Sequence, residues 1–241
     1  MPATHSALGR VSAWLGRLCI VAAILGPVLA HLELVAPLTG FAIFGVGLLL
    51  ALVSLLVGLI GLVVGPAGTR GTTGGAILLP LLLIVATFVA AGAGMDDPRI
   101  NDITTDPTTP PRFVTAPTLA ENAGRDMAYP GAEFAQQQAA GYPDLAPLTL
   151  AMPPGEAFKQ VVAAARSMPN WVITREDPAA HALEGHDTSG IFKFKDDFVI
   201  EVRPGANGQS IVQMRSKSRD GRGDMGVNAA RIRAFFQRLQ S

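Results

Sequence analysis

The chain has 241 residues, of which 49% are hydrophobic and only 16% are charged, and its 19 basic residues balance its 19 acidic residues. This balance excludes a nucleic-acid-binding protein that relies on net positive charge, and the single cysteine excludes a small secreted domain held together by disulfides. A charged fraction well below the usual quarter indicates that part of the chain lies in lipid.

Two apolar runs in the first part of the chain are long enough to cross a membrane. Residues 1–94 contain only three arginines and one glutamate. The run at about 39–64 has about 24 successive residues without a charge, whereas a membrane span needs about 20. The run at about 75–93 is just long enough, and Pro80 lies early enough in it for a kink to be tolerated.

The first apolar run, at about 11–30, allows two interpretations. Its strictly apolar part, between Arg17 and His31, has 13 residues, which is the length of a signal-peptide core. If the Arg17 side chain reaches toward the headgroups, the run is instead an uncleaved span, and the two apolar runs that follow favour this. We therefore expect two or three transmembrane helices in residues 1–94.

The few charges in this part predict its orientation. Arg10 and Arg17 flank the start of the first run and Arg70 separates the second from the third, whereas the loop 31–37 has no cation. Cations in short loops mark the cytoplasmic side. We predict a protein of the bacterial inner membrane, with its N terminus in the cytoplasm and its C-terminal domain in the periplasm. Neither the second nor the third run contains a charged residue, which disfavours a transporter.

Small residues spaced four apart occur in the second and third runs. They form the pairs Gly61 with Gly65 and Ala86 with Ala90. Such pairs let two helix backbones approach closely. They predict either packing among these same helices or a homo-oligomer formed through them.

Residues 95–144 have the composition of a linker. They are rich in Pro, Thr, Ala and Asp, and Pro110-Pro111 excludes regular structure there. They also contain four aromatic residues that a solvated tether would not need. These are Phe113, Tyr129, Phe134 and Tyr142.

Residues 145–241 have the pattern of a compact α+β domain. Apolar positions at helical spacing predict one helix that begins at Pro153-Pro154 and a final helix over about 225–239. Between them, alternation of apolar and polar residues predicts strands. The strand candidates are 148–152, 171–174, 182–185, 190–195, 198–203 and 210–216. We predict N-terminal transmembrane α-helices followed by a C-terminal α+β domain, in which an antiparallel sheet is packed by two helices.

Several segments of this part resemble a known family. They are Ile100–Asp106, Pro110–Phe113, Tyr129–Gly131, Gly141–Leu148, Phe192–Asp197 and Arg215–Arg219, followed by Gly221, Asp224, Gly226, Asn228, Arg231 and Ile232. Their ordered combination, over roughly residues 98–241, resembles the bacterial envelope family called domain of unknown function 1499, and membrane spans ahead of the domain fit its members. The resemblance implies that residues 95–144 are an extended, ordered segment that wraps the domain. It implies no activity.

The polar loop 215–224, which leads from the last strand into the final helix, is the best candidate for a binding site. A helix N-terminus offers unpaired N–H groups and a positive dipole end, to which Arg219 and Arg222 add charge for a phosphate, a carboxylate or a partner protein. Alternatively, Asp224 caps the final helix and pairs with one of these arginines. The candidate residues are Arg215, Ser218, Arg219, Arg222, Asp224, Asn228 and Arg231.

No motif in the sequence predicts a catalytic site, a metal site or a cofactor. His186, Asp187 and Ser189 are the residue types of a hydrolase triad, but neighbours in sequence rarely align a nucleophile with its base. The histidines of this part lack the spacing of metal ligands. Asp102 and Asp106 fit turns better than a calcium site.

These observations favour binding over catalysis. We expect a membrane-anchored periplasmic module that binds an anionic ligand or an envelope protein, and we expect no nucleic-acid partner. An envelope hydrolase and a structural or assembly protein of the membrane are the alternatives.

Overall fold

The computed structural model describes residues 6–92 and 97–241 of the chain. Contacts divide these residues into two compact units, one formed by 6–92 with 190–193 and the other by 97–189 with 194–241. The predicted end of the third apolar run at 93 and the predicted boundary between 94 and 95 lie outside the described residues.

Three apolar helices form most of the first unit. They are α1 (Ala7–His31), α2 (Pro37–Val64) and α3 (Arg70–Ala91). Each is long and apolar enough to cross a membrane. The first apolar run is thus part of one continuous helix, which begins at a Ser6 cap whose hydroxyl accepts a hydrogen bond from the Gly9 N–H at 2.9 Å.

Small residues allow α1 and α2 to pack closely. The buried residues of both helices are all Gly, Ala, Ser or Cys. At this interface the Ser12 hydroxyl donates to the Ser54 carbonyl at 2.9 Å, and the Ser54 hydroxyl donates to the Ser12 carbonyl at 2.8 Å. These bonds satisfy polar groups that lipid cannot satisfy. Gly61 is buried in the same packing, whereas Ala86 and Ala90 are exposed on α3.

The second unit is an α+β domain. Its strands are β1 (Asp102–Thr104), β2 (Leu148–Leu150), β3 (Trp171–Asp177), β4 (Ala182–Thr188), β5 (Lys195–Pro204) and β6 (Ser210–Ser218). Its helices are α4 (Ala132–Gly141), α5 (Pro154–Ser167) and α6 (Val227–Leu239).

The six strands form one antiparallel sheet in the order β1-β6-β5-β4-β3, and β2 pairs with the part of β6 that β1 leaves free. Helices α5 and α6 cover one face, where Trp171 packs between Phe198 and Phe235 with ring centroids 4.0 and 5.4 Å away. Other buried residues of this core are Phe158, Val161, Leu183, Ile200, Met214 and Ile232. This architecture confirms the predicted fold class.

The segment predicted to be extended contains a helix. Residues 132–141 form α4 because they are mostly Ala, Gln and Glu, which favour helix, and they follow the Pro130-Gly131 turn. Gln138 on α4 then pairs with β1 as a strand would: its Oε1 accepts from the Thr104 N–H at 2.9 Å and its Nε2 donates to the Thr104 carbonyl at 2.6 Å. The side chain thereby satisfies backbone groups at the sheet edge.

The strand candidate at 190–195 is wrong. Residues 189–194 form the turn between β4 and β5, in which the Ser189 N–H donates to the Phe194 carbonyl at 2.8 Å. Lys193 there has a φ of 61°, a left-handed conformation that no strand residue adopts. Alternation of apolar and polar residues in so short a stretch did not distinguish a strand from a hairpin turn.

Candidate functional site: the charged face of the sheet

The sheet face opposite α5 and α6 carries charged side chains, and we call it the charged face. Side chains alternate along a strand, so the neighbours of the core residues point here. In the register of the sheet, His186 lies opposite Asp197, Asp197 opposite Lys217, and Lys217 opposite Asp102. Lys217 therefore has an acid on each side across the strands, Asp197 and Asp102, which favours this pairing.

Arg215 lies at the centre of the charged face, and its side chain is only 2% exposed. Its Nε and Nη2 donate to the two carboxylate oxygens of Asp102 at 2.8 and 2.7 Å. Its Nη1 donates to the Pro111 carbonyl at 3.3 Å and its Nη2 to the Met127 carbonyl at 3.0 Å. The Phe113 ring lies 4.8 Å from its guanidinium carbon. Arg215 therefore joins β6 to β1 and to residues 105–130, and all three of its guanidinium nitrogens donate hydrogen bonds.

Arg219 forms a second buried pair on the same face. Its Nε and Nη2 donate to Asp197 at 2.9 and 2.6 Å, and its Nη1 pairs with Glu121. Hydrogen bonding from Lys195, with a further contribution from Arg219, lowers the pKa of Glu121 against the opposing effect of burial. Asn122 also donates to Asp197, at 2.9 Å. The carboxylates of the domain itself thus hold the guanidinium of Arg219.

Arg231 lies on α6, on the opposite side of the sheet from Arg215. Its Nε donates to Asp187 at 3.0 Å and its Nη2 to Asp196 at 2.6 Å. Its Nη1 donates to Asn228 Oδ1 at 2.6 Å and to Ser216 Oγ at 2.9 Å. Arg231 therefore ties α6 to strands β4, β5 and β6.

The Asp224 side chain binds the start of α6, two residues before the N-cap residue Gly226, and Asn228 lies in the first turn of the helix. Asp224 accepts hydrogen bonds from the N–H groups of Gly226 at 3.0 Å and Asn228 at 2.8 Å, while Asn228 Nδ2 donates to Ser218 Oγ at 2.9 Å. Burial raises the pKa of Asp224, and these hydrogen bonds offset only part of that effect. This is the capping arrangement that the sequence allowed as the alternative to a binding loop, although Asp224 forms no salt bridge with an arginine in the described part of the chain.

The predicted site residues therefore divide into three places. Ser218, Asp224, Asn228 and Arg231 come together at the start of α6. Arg215 and Arg219 lie on the charged face, each paired with its own carboxylate. Arg222 is exposed in the loop after β6, and within residues 6–92 and 97–241 it has no ion-pair partner.

Glu184 is a central residue that sequence reasoning missed. Its side chain is fully buried on β4. Its two oxygens accept hydrogen bonds from the backbone N–H groups of Val114, Thr115 and Ala116 at 2.9 to 3.1 Å. Arg175 Nη1 donates to the same carboxylate at 3.3 Å. An acidic residue directly after Leu183 in the strand candidate 182–185 was the only signal in the sequence.

Residues 105–130 cover the charged face and leave a groove of about 910 Å³. Its lining includes apolar and polar side chains from this segment and charged residues from β5 and β6. They are Pro107, Pro110, Phe113, Pro117, Met127, Tyr129, Thr108, Thr109, Arg112, Glu201, Arg203 and Arg215. The groove thus combines apolar side chains with three guanidinium groups.

The arginines of the groove differ in how they are paired. Arg203 donates to Glu201 Oε2 at 2.7 Å and to the Thr109 carbonyl at 3.3 Å. Arg112 is exposed, and among the described residues its side chain has no ion-pair partner. Burial raises the pKa of Tyr129 to about 12, so its hydroxyl is neutral, and this hydroxyl has no hydrogen-bond partner among those residues. The groove therefore offers one exposed cation, Arg112, that has no internal carboxylate partner among the described residues.

The geometry gives no support to a catalytic triad or a metal centre. His186 points to the charged face, whereas Asp187 binds Arg231 on the helix side and the Ser189 hydroxyl accepts from the Phe194 N–H at 2.9 Å. Over the described ranges, no group of three or more His, Cys, Asp or Glu side chains could hold a metal ion. Asp106 forms the turn expected of it, by accepting from the N–H groups of Thr108 and Thr109 at 3.0 Å. The same expectation is wrong for Asp102, which is buried at the start of β1 and binds Arg215.

Residues 102–239 match the family described as Protein of unknown function (DUF1499). The chain belongs to this family. The DUF1499 match begins at Asp102, the partner of Arg215, and ends at Leu239, the last residue of α6. It therefore contains the whole sheet and its ion pairs, while the three apolar helices precede it. No curated protein matches the chain.

Proposed function

We propose that the chain is a membrane-anchored binding module of the bacterial inner membrane, which displays its DUF1499 domain in the periplasm and binds an anionic ligand there. The three apolar helices supply the anchor. The positions of Arg10, Arg17 and Arg70 support the orientation, because cations mark the cytoplasmic side. The site is the groove on the charged face, and the ligand carries a carboxylate or phosphate on an apolar body.

The observation that carries this proposal is the free guanidinium of Arg112 in the groove. Arg215, Arg219 and Arg231 are held by internal carboxylates, so an external anion would have to displace a buried partner from each. Arg112 has no such competitor among the described residues. A guanidinium offers a planar fork of donors that matches carboxylate and phosphate groups.

The shape of the groove supports a small ligand. Its volume of about 910 Å³ lies within the range of about 300–1,000 Å³ that small-molecule sites occupy. Phe113, Met127, the Tyr129 ring and the prolines give it apolar walls. An apolar wall with few polar groups is the usual composition of such sites.

Thermal unfolding of the full chain in detergent micelles tests the site. The probes are inorganic phosphate, medium-chain fatty acids, alkyl phosphates and short acidic peptides. A ligand at about 100 times its Kd adds about 2.7 kcal/mol of stability, which raises the Tm by several degrees. We expect an alkyl phosphate or fatty acid to raise the Tm, and we expect Arg112→Ala to abolish this rise.

Arg222→Ala is the matched control, since Arg222 is also exposed and unpaired within the described residues but lies in the loop after β6. If Arg222→Ala abolishes the rise and Arg112→Ala does not, the loop is the site and the groove is not. If only the acidic peptides act, the ligand is a partner protein. If no probe raises the Tm, the proposal of an anion-binding module fails.

The orientation has its own test. A reporter that is active only outside the cytoplasm, fused after Ser241, should be active in cells. Activity of a cytoplasmic reporter at the same position would contradict the periplasmic placement.

One observation favours an assembly function as the second candidate. Ala86 and Ala90 lie exposed on α3, one helical turn apart, and their small side chains would let a second copy of α3 approach closely. Cross-linked oligomers in membranes that disappear in Ala86→Leu and Ala90→Leu variants would support it. A monomer in both the parent and the variants would exclude it.

A further inference from the structure

Two arginines and a tryptophan lie on one face of α1. Arg10, Trp14 and Arg17 are spaced four and three residues apart, which places them on the same side of a helix. All three are exposed, whereas the buried residues Gly9 and Gly16 of the same turns pack against α2 and α3. The face that carries the arginines therefore points away from the other two apolar helices, toward lipid.

The contacts between α1 and α3 show how deep Arg17 lies. The two helices run in the same direction, and Thr73 lies against Gly9. Thr73 is less than one turn from Arg70, the cation at the start of α3, so Gly9 lies close to the end of the span that Arg70 marks. Arg17 is eight residues beyond Gly9, which is about 12 Å along the helix axis. The backbone of Arg17 is therefore well inside a hydrocarbon core of about 30 Å.

The apolar helices provide no carboxylate near Arg17. Glu33 is the single acidic residue of 1–94, and it lies beyond the opposite end of α1. Among the described residues, neither Arg10 nor Arg17 has an ion-pair partner. An arginine inside a membrane normally faces other helices or a polar cavity, where protein groups satisfy it. Because Arg17 faces lipid, its counter-ion has to come from outside the chain.

The Arg17 side chain is directed toward the start of α1. Its guanidinium carbon lies 5.5 Å from the centre of the Trp14 ring, which belongs to the preceding turn. Side chains of a helix lean toward its N-terminal end, and a long arginine side chain can carry its charge to the headgroups along that course. Arg10 is about 10 Å from Arg17 along the axis, nearer to this end. Both guanidinium groups can therefore reach the same lipid headgroup.

We propose that Arg10, Trp14 and Arg17 form a binding site for an anionic phospholipid of the leaflet at the start of α1. Both arginines donate to the lipid phosphate, and the Trp14 ring lies beside them at the membrane interface, where tryptophan is enriched. A carboxylate on a partner helix would neutralise Arg17 at its own depth. The direction of its side chain and the second arginine nearer the surface favour a headgroup instead.

Native mass spectrometry of the full chain tests this site. The chain is purified in a mild detergent and incubated with phosphatidylglycerol or phosphatidylcholine, and the fraction of chains that retain lipid after release from the micelle is measured. We expect several-fold more chains to retain phosphatidylglycerol. Arg17→Gln should remove most of this excess, and Arg10→Gln should reduce it by a smaller factor. Arg17→Lys keeps the charge without the fork of donors and should retain part of the excess.

Arg70→Gln is the matched control. Arg70 is also an exposed arginine of the apolar helices without an ion-pair partner in the described part of the chain, but it lies on α3. Its substitution should leave the excess of phosphatidylglycerol nearly unchanged. Equal losses in Arg17→Gln and Arg70→Gln would mean that any cation of this part attracts anionic lipid, and they would overturn the proposal. An unchanged helical circular dichroism spectrum verifies that each variant keeps its fold.

Inorganic phosphate distinguishes a lipid from a free anion as the ligand of these arginines. At constant ionic strength, phosphate in place of chloride should leave the retained phosphatidylglycerol unchanged. Displacement of the lipid by phosphate would mean that the arginines form a site for the soluble anion, which would contradict the lipid assignment. Equal retention of the two lipids by the parent chain would also overturn the proposal, and it would favour a partner helix as the source of the counter-ion.

Discussion

The two faces of the sheet are both buried, but by opposite kinds of chemistry. On the helix side, Phe198, Ile200 and Met214 pack against α5 and α6. On the charged face, the adjacent residues of the same strands include acids and arginines that the segment 105–130 covers, and a small apolar cluster of Val199 with Phe113 and Ala116 of that segment. Met214 and Arg215 are adjacent in the sequence and both are buried, but Met214 packs in the apolar core whereas Arg215 binds a carboxylate.

This difference separates stability from specificity. Apolar burial contributes about 25 cal/mol per Å² of area removed from water, without much regard to direction. A buried ion pair adds little net free energy, because desolvation offsets the attraction, but removal of one partner leaves a costly charge. We infer that the helix face supplies most of the stability, whereas the pairs of Arg215 and Arg219 fix how β1 and the covering segment attach to the sheet.

The largest effect is expected from Asp102→Ala. It leaves the guanidinium of Arg215 buried without its carboxylate, which should lower the free energy of unfolding by about 3–5 kcal/mol. Urea unfolding of the full chain in micelles measures this through Trp171 fluorescence, in a Trp14→Phe background. A loss below about 1 kcal/mol would show that the charged face is solvated rather than buried.

A smaller loss of stability is expected from conservative substitutions at the adjacent residues Met214 and Arg215. Arg215→Lys keeps the charge but loses the fork that holds both oxygens of Asp102, and each lost buried hydrogen bond costs about 1–3 kcal/mol. Met214→Leu, on the helix face, conserves volume and should cost less than about 1.5 kcal/mol. The same unfolding assay should therefore rank Arg215→Lys as the more destabilising of the two. If Met214→Leu were the more destabilising substitution, the two faces would not differ in the way inferred above.

Sequence analysis predicted alternating faces and a segment that wraps the domain, but not which face that segment covers. In the strand candidate 198–203, a period of two puts Phe198, Ile200 and Val202 on one side and Glu201 and Arg203 on the other, as the structure has them. A period of two does not say whether the polar side meets water or protein. That depends on pairs such as Asp102 with Arg215, which lie 113 residues apart and leave no local signal.

The candidate loop 215–224 also depends on partners that are distant in the sequence. The arginines after β6 suggested an anion site, because the sequence does not display the carboxylates that pair with them. Asp197 and Glu121, which hold Arg219, come from β5 and from the covering segment. Only the cap by Asp224 depends on residues close in sequence, and the sequence did predict it as the alternative.

A pH-dependent effect on the charged face should be smaller again. Burial, with the nearby charges of Arg219 and Lys195, lowers the pKa of His186 from its ordinary value of about 6.5. As the pH falls below about 6.5, His186 takes up a proton more readily in the unfolded chain than in the folded chain. The free energy of unfolding should therefore fall as the pH falls from about 7 to about 5. His186→Gln should reduce this loss in unfolding experiments at both pH values. An identical loss in the variant would assign it to other groups.

The smallest effect is expected from the exposed pair of Asp144 with Arg233. Its oxygen and nitrogen atoms lie 2.6 Å apart, but Asp144 is 54% and Arg233 38% exposed. Exposed pairs are typically worth less than about 1 kcal/mol. Asp144→Ala should therefore leave the urea midpoint almost unchanged. A shift as large as that of Asp102→Ala would mean that the geometry of an ion pair, and not its burial, determines how much it stabilises the fold.

The most direct measurement is a double-mutant cycle on Asp102 and Arg215, with Asp102→Asn, Arg215→Met and the two combined, compared with a cycle on Asp144 and Arg233. The cycle isolates the interaction between the two side chains from the effects of each substitution alone. We expect a coupling free energy of at least about 2 kcal/mol for the buried pair and below about 1 kcal/mol for the exposed pair. Equal couplings would contradict the account, since Arg215 would then be free of Asp102 and available to a ligand.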